Sequence, residues 1–373
     1  MSKDTKSKLY QTQTLLKRRL RVAYPAGNGR MVLRTEQDWD KDVAPIETSD
    51  DGNTFTFELE ADQPFLYFKP CLIRNDEFHW AIGPNKLLLM EESDKRISYP
   101  HFFSSDKGTF SELVEIPSKI LNRVHRVRAY VPPGYHENTL AYYPVAFMQD
   151  GQNLFFPEEA FMGQDWKVDT TRDTLSAMSA IEDFIFVGIY SEDRMLDYTS
   201  PGYEPYAQSL ATEIVPEAEK RMRVGTHRRH RSVWGSSLGG VVSFYSVWEH
   251  PDVFGAAVCM SSTFSHKDNL IDRVLTERPR DIGFYLDSGW PGDNYEVTVG
   301  MAMALVSRGW RYGHNLFHLA FPKAEHNEAA WGMRLYLPLQ FLNGAVARAS
   351  RVDAPVLGDD PWKEPGKTMA ASK

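Results

Sequence analysis

The stretch Gly235-Ser236-Ser237-Leu238-Gly239 has the spacing Gly-x-Ser-x-Gly, and no other segment restricts the possible fold as strongly. A serine in this pattern sits on a sharp turn from strand to helix, in a strained backbone conformation, and its small neighbours let nearby backbone approach without a Cβ clash. The flanks agree. Arg231 to Trp234 fits a short buried strand, and Val241 to Trp248 is apolar and long enough for a packed helix ending before Pro251. Strand, turn and helix in that order make Ser237 a candidate nucleophile, the plain alternative being a glycine-rich structural turn.

A chain of 373 residues exceeds one ordinary domain, so two are expected. Its 42% hydrophobic and 25% charged residues are an ordinary globular balance. The net charge of −8 disfavours a nucleic-acid partner, because a phosphate backbone needs a basic surface. Cys71 and Cys259 are too few and too far apart for a disulfide scaffold. The polar Met1 to Lys8 segment has no apolar stretch after it of the signal-peptide kind, and no run reaches transmembrane length, so the expectation is a cytoplasmic protein without a membrane partner.

Residues 1–15 read as a disordered lead-in. Short alternating runs follow, at Arg21 to Tyr24, Met31 to Arg34, Thr54 to Leu59 and Phe65 to Pro70, punctuated by Gly, Asn, Asp and Pro. Alternation puts Phe55, Phe57 and Leu59 on one face, and residues 16–108 are expected to form a small antiparallel β-sandwich. Over 109–350 the rhythm changes to strands separated by helical windows, which argues for a mainly parallel sheet with helices on both faces. Its strands are expected at Val124 to Pro132, Tyr143 to Met148, Phe184 to Tyr190, Arg231 to Trp234, Gly255 to Met260, Ile282 to Asp287 and Asn315 to Phe321. Helices are expected at Tyr206 to Met222, kinked by Pro216, at Tyr295 to Ser307 with Val299, Met303 and Leu305 inward, and at Glu328 to Leu342. Residues 351–373 read as a mobile tail.

A serine needs a base to take its proton, and among the eleven histidines His326 fits best. It follows the last strand in the loop Pro322 to Glu328, just before a helix. His314 and His318 do not form a metal-ligand motif, and neither metal nor cofactor is expected. The acid should follow the penultimate strand. Asp293, in the loop Ser288 to Asn294, is favoured over Asp287 at the strand end, with Glu296 third, because a loop residue has more freedom to reach the imidazole. For an oxyanion hole, the Leu238 backbone N–H supplies one donor and Gln152, after Gly151, the second. Asp150 reads as a turn residue.

Tyr143-Pro144-Val145 leading to Asp150-Gly151-Gln152-Asn153, Val187-Gly188-Ile189 with Arg194 and Tyr198 beyond, Gly235 to Gly240, His250-Pro251-Asp252-Val253-Phe254-Gly255, and Glu325-His326 to Trp331 occur in this order over about 115 to 345. Together they resemble the putative esterase family of α/β-hydrolases, which includes enterochelin, feruloyl and acetylxylan esterases. The N-terminal part resembles the immunoglobulin-like domain that precedes the hydrolase in enterochelin esterase-like proteins. This chain departs from the family pattern in having Leu238 where many members have Met, and in the longer acid loop around Trp290-Pro291-Gly292.

The resemblance implies a serine carboxylic-ester hydrolase working through an acyl-enzyme on a small-molecule ester: siderophore-like, hydroxycinnamoyl or acetylated-sugar. The alternatives are an acyltransferase on the same fold, or a non-catalytic carbohydrate-binding protein. Arg194 could pair with a substrate carboxylate or phenolate, or serve as a structural ion-pair partner. Trp166, Tyr198, Trp290 and Trp331 could wall a sugar or aryl group, or pack in the core.

Overall fold

A computed structural model describes residues 15–90 and 96–344. The expected lead-in, up to residue 14, and the whole expected tail lie outside the described residues. The first strands are β1 (Leu16–Ala23), β2 (Arg30–Thr35), β3 (Asp38–Val43), β4 (Glu47–Thr48), β5 (Thr54–Ala61), β6 (Phe65–Arg74), β7 (Glu77–Trp80), β8 (Lys86–Leu89) and β9 (Ile97–Ser98). They form two sheets, ordered β4-β5-β1-β9 and β3-β2-β6-β7, with β8 also on β6. Alternation decides which side chains meet between them: Phe55, Phe57 and Leu59 pack with Leu20, Val22, Leu33, Leu66 and Phe68 in one buried cluster. Beyond the four strands expected here, the structure adds β3, β4, β7, β8 and β9. β9 runs parallel to β1, and β3, Asp-Trp-Asp-Lys-Asp-Val, is a strand although its pattern is mostly charged. As an exposed edge strand β3 needs little apolar surface, and its charges discourage pairing with other chains.

The second region carries β10 (Thr109–Phe110), β11 (Val114–Ser118), β12 (Arg123–Val131), β13 (Val145–Met148), β14 (Ile185–Ile189), β15 (Arg231–Ser236), β16 (Ala256–Met260), β17 (Gly283–Trp290) and β18 (Leu316–Pro322). Their order is β10-β12-β14-β13-β15-β16-β17-β18, with β11 on β12. β12 is antiparallel to β14, and every pairing from β14 to β18 is parallel. β13, β14 and β16 are buried at every position. Such strands read as continuous apolar runs because helices cover both sheet faces. One face packs the helix Leu238–Glu249 and the other carries Trp166, Leu175, Trp331 and Leu339. This is an α/β-hydrolase fold preceded by a small all-β sandwich. All parallel strands end on one edge, where loops can converge side chains.

The sandwich is joined to the sheet through the loop after β12. The Glu137 carboxylate accepts from Tyr24 Oη at 2.9 Å and from the N–H groups of Phe102, Phe103 and Ser104 at 2.7, 2.9 and 2.8 Å. Asn138 Nδ2 donates to the carbonyls of Ala23 and Pro100 at 2.9 and 2.8 Å.

Three helical expectations change. The segment expected at Tyr206 to Met222 is a helix at Tyr203–Ser209, a π-helical turn at Leu210–Ile214 and a helix at Val215–Arg221. Pro216 has no N–H to donate within a helix, and the wider turn lets it enter at the start of the next one. In Tyr295–Ser307 the buried residues are Thr298, Met301, Ala302, Ala304 and Leu305, while Val299 is half-buried and Met303 is 67% exposed. The stripe that repeats at three, four and seven residues therefore begins at Thr298 and leaves Met303 on the outer face. The expected helix Glu328 to Leu342 is two, Glu328–Arg334 and Tyr336–Asn343, with Pro338 tolerated in the first turn of the second.

His125, on β12, is buried and its Nε2 lies 2.7 Å from Ser209 Oγ, in a cluster completed by Ser118 and Glu213. Burial, helped by the nearby Arg123 guanidinium, pushes its pKa down to about 4 from 6.5. The folded ring thus stays neutral where the unfolded one takes a proton, so its contribution to stability is complete above pH 6.5 and is lost as pH falls towards 4. Thermal melts between pH 7 and 4 should show a smaller loss of midpoint for His125→Gln than for the wild type, and equal losses would refute this.

Candidate active site

Ser237 lies between β15 and the helix Leu238–Glu249 with φ 55° and ψ −124°, a conformation costly for a residue with a Cβ. Its N–H donates to the Met260 carbonyl on β16 at 2.9 Å, so the adjacent strand holds the turn in place. Glycine is needed on both sides. A Cβ on Gly235 would stand 2.3 Å from the Gly239 carbonyl oxygen, and one on Gly240 1.9 Å from Ser262 Oγ. Leu238 opens the helix, so its N–H belongs to the first turn, whose amides have no acceptor within the helix.

His326, in the loop after β18, places Nε2 2.9 Å from Ser237 Oγ and Nδ1 2.5 Å from Asp293 Oδ1. Trp331 stands edge-on to its ring at 5.0 Å between centroids. Asp293 is buried, and its Oδ2 accepts from Ser261 Oγ at 2.6 Å and from the Gly289 N–H at 2.7 Å. Burial alone would raise this carboxyl, but the bonds from His326, Ser261 and Gly289 outweigh it and hold the pKa below the usual carboxylate range.

Asp287 lies elsewhere. β17 runs on to Trp290, past the end expected at Asp287, so Asp287 is a mid-strand residue. It lies 3.1 Å from Arg334, accepts from Tyr285 Oη at 2.9 Å, and is fully buried, which raises its pKa. A strand residue has its direction set by the pleat, and this one is directed to Arg334 and Tyr285, whereas Asp293 is the carboxylate bonded to the imidazole. Glu296 sits in the first turn of the helix Tyr295–Ser307.

Gln152 is in a short turn, Gly151–Asn153, directly after β13 and beside β15. Its side chain exchanges two hydrogen bonds with Ser191, at 2.8 and 3.1 Å, tying the loops after β13 and β14 together. Arg194 Nε lies 2.9 Å from Asp150 Oδ1, so the structural ion-pair alternative describes it. Asp150, with φ 55°, is therefore more than a turn residue, because it neutralises Arg194 beside the elbow helix. Asn153 Nδ2 donates to Glu328 Oε1 at 3.2 Å, and burial raises the Glu328 carboxyl.

The aromatic wall needs correction. Tyr198 is fully buried, with Oη accepting the Asp150 N–H at 3.4 Å, and Trp166 is buried against Trp331. Both are core, because apolar area inside the fold outweighs any use they have at a surface. Trp331 is also buried and serves His326 and Ser261 instead of lining a cleft. Trp290, 49% exposed at the end of β17, alone among these four stays open to a ligand. Sequence reasoning missed Ser261 and Arg334. Ser261 directly follows an expected strand, a positional hint, but its partners lie 32 to 73 residues away. Among the described residues no group of three or more His, Cys, Asp or Glu is placed to hold a metal ion, and no helix is long and apolar enough to cross a membrane.

A family model described as "Putative esterase" matches residues 118–337. The chain belongs to this family. Among solved structures it is similar to a ferulic acid esterase, at TM-score 0.54 and 21% identity, covering 64% of this chain and 98% of that one. It is also similar to the ferric enterobactin esterase of Salmonella typhimurium, at TM-score 0.52 and 15% identity, covering 90% and 95%, a span that takes in the sandwich. The uncharacterized protein YbbA of Bacillus subtilis (strain 168) is 25% identical over 182 residues, 43% of this chain, and the match spans 63% of YbbA. These likenesses establish a shared fold.

The contacts at Gly235 set a graded expectation. Gly235→Ala meets backbone and should cost about 1–3 kcal/mol, whereas Gly240→Ala should cost less, because a serine side chain can rotate aside. Urea unfolding of both variants measures this, and a Gly235→Ala protein as stable as wild type would contradict it.

Proposed function

We propose that the chain hydrolyses carboxylic esters through an acyl-enzyme formed on Ser237. The observation that carries this reading is the unbroken series Ser237 Oγ, His326 Nε2, His326 Nδ1 and Asp293 Oδ1, with spacings of 2.9 and 2.5 Å, on an elbow between strand and helix. Family membership supports it.

His326 Nε2 takes the hydroxyl proton as Ser237 Oγ attacks the ester carbonyl carbon. Negative charge then gathers on the carbonyl oxygen, and the N–H groups of Leu238 and Gln152 are the donors assigned to it. Collapse breaks the bond to the alcohol oxygen, which leaves with the proton returned by His326. Water, deprotonated by the same nitrogen, attacks the acyl-enzyme, and Ser237 regains its proton as the acid departs. Asp293 holds the Nδ1 proton and stabilises the imidazolium without becoming protonated. Its depressed pKa suits that duty, because the carboxylate has to remain charged throughout.

For substrate we propose an aryl, siderophore-like or acetylated-sugar ester. Support comes from the names of the similar structures, a ferulic acid esterase and a ferric enterobactin esterase, and from the exposed Trp290 beside the acid loop. A panel of such esters, ranked by kcat/KM, tests the choice.

The nucleophile is tested with short p-nitrophenyl esters and a fluorophosphonate probe. Ser237→Ala should lose labelling and at least about 10⁴-fold in kcat, and a rate equal to wild type would sink the assignment. Exchanging one carboxylate for an amide separates the two aspartates. Asp293→Asn should lose roughly 10⁴-fold in kcat, because the amide favours the wrong imidazole tautomer. Asp287→Asn should act mainly on stability, by about 3 kcal/mol, because Arg334 is left buried and less well paired. The reverse pattern would transfer the acid role to Asp287.

A further inference from the structure

Ser261 is fully buried at the end of β16, between the nucleophile and the acid. The preceding residue, Met260, accepts the Ser237 N–H, while the Ser261 N–H donates to the Asp287 carbonyl at 2.7 Å and its own carbonyl accepts Asn294 Nδ2 at 2.8 Å. Its hydroxyl has three close partners: Trp331 Nε1 at 3.0 Å, Arg334 Nη2 at 2.7 Å and Asp293 Oδ2 at 2.6 Å.

The chemistry of those partners leaves a single arrangement of protons. A hydroxyl has one proton and two lone pairs, while indole and guanidinium nitrogens can only donate. Trp331 and Arg334 therefore occupy both lone pairs, and the proton must point at Asp293. An ionised carboxylate only accepts, so the Asp293 oxygens are filled by Ser261, Gly289 and His326. The proton between Asp293 and His326 then sits on Nδ1, which leaves Nε2 bare to receive the proton of Ser237. Direction is thus imposed from the buried end, by two side chains that cannot accept.

We propose that Ser261 is a positioning residue, whose hydroxyl, oriented by Trp331 and Arg334, holds the Asp293 carboxylate and through it the His326 tautomer that receives the Ser237 proton. The inference rests on the ester-hydrolase reading above. Ser261 is buried beneath the acid and does not touch substrate. Its loss therefore acts on kcat and spares KM, unlike loss of a binding residue.

The test is steady-state hydrolysis of a p-nitrophenyl ester by wild type, Ser237→Ala, Ser261→Ala and Trp331→Phe, together with the far-downfield proton NMR signal of the His326 Nδ1–H. Ser261→Ala should lower kcat by about 10- to 100-fold, the size of one charge-assisted hydrogen bond, with KM nearly unchanged and the downfield signal moved or lost. A folded Ser261→Ala protein with wild-type kcat and an unmoved signal overturns the proposal, and so does a change in KM alone. Should Ser261→Ala fail to fold, Trp331→Phe decides. It keeps a ring against His326 and removes one donor to Ser261, so a several-fold loss in kcat with a shifted signal supports the proposal, and no change overturns it. Equal rates for wild type and Ser237→Ala would remove the hydrolase reading and this inference with it. An inactive Ser237→Ala beside an unaffected Ser261→Ala removes this inference alone.

Discussion

The strained turn at Ser237 is the constraint on which the surrounding structure depends. A residue with a Cβ does not settle at φ 55° and ψ −124° unless its neighbours over-determine it. Here β16 accepts the serine's N–H, the helix Leu238–Glu249 begins at once, and the side chains that would obstruct this are absent at Gly235 and Gly240. The parallel sheet makes those conditions possible. It brings the ends of β15, β16, β17 and β18 to one edge, so that four loops far apart in the chain can each contribute one group.

The two aspartates of the β17 region illustrate how environment separates groups of the same type. Asp287 is fully buried beside Arg334 and Tyr285, and desolvation dominates and raises its pKa. Asp293 also leaves water, but it collects donors from an imidazole, a hydroxyl and a backbone amide, and its pKa falls. Six residues apart in sequence, one carboxylate braces the fold and the other faces the imidazole. Buried charge persists where hydrogen bonds replace its hydration, and the direction of the shift reports whether that replacement is complete.

Polar side chains also lock the parts together. Glu137 and Asn138 reach across the boundary from the sheet and gather amides and carbonyls of the sandwich, in effect capping loops that would otherwise leave backbone groups without partners. Asp150 and Arg194 do the same at the site, where a buried carboxylate next to the elbow helix needs a cation.

Sequence alone determined those features that depend on neighbours a few residues apart. The alternation of Phe55, Phe57 and Leu59, the apolar runs of the parallel strands, the Gly-x-Ser-x-Gly turn and the loop position of His326 are all local patterns, and each was legible from the order of side chains. Tertiary structure decided what depends on distant groups. The π-turn before Pro216, the outward face of Met303, the burial of Tyr198 and the meeting of Ser261, Asp293, Trp331 and Arg334 follow from packing across tens of residues. Local periodicity says which face of an element is apolar, but the partner that a buried polar group finds is set by the register and crossing of whole elements, and no short stretch of sequence encodes it.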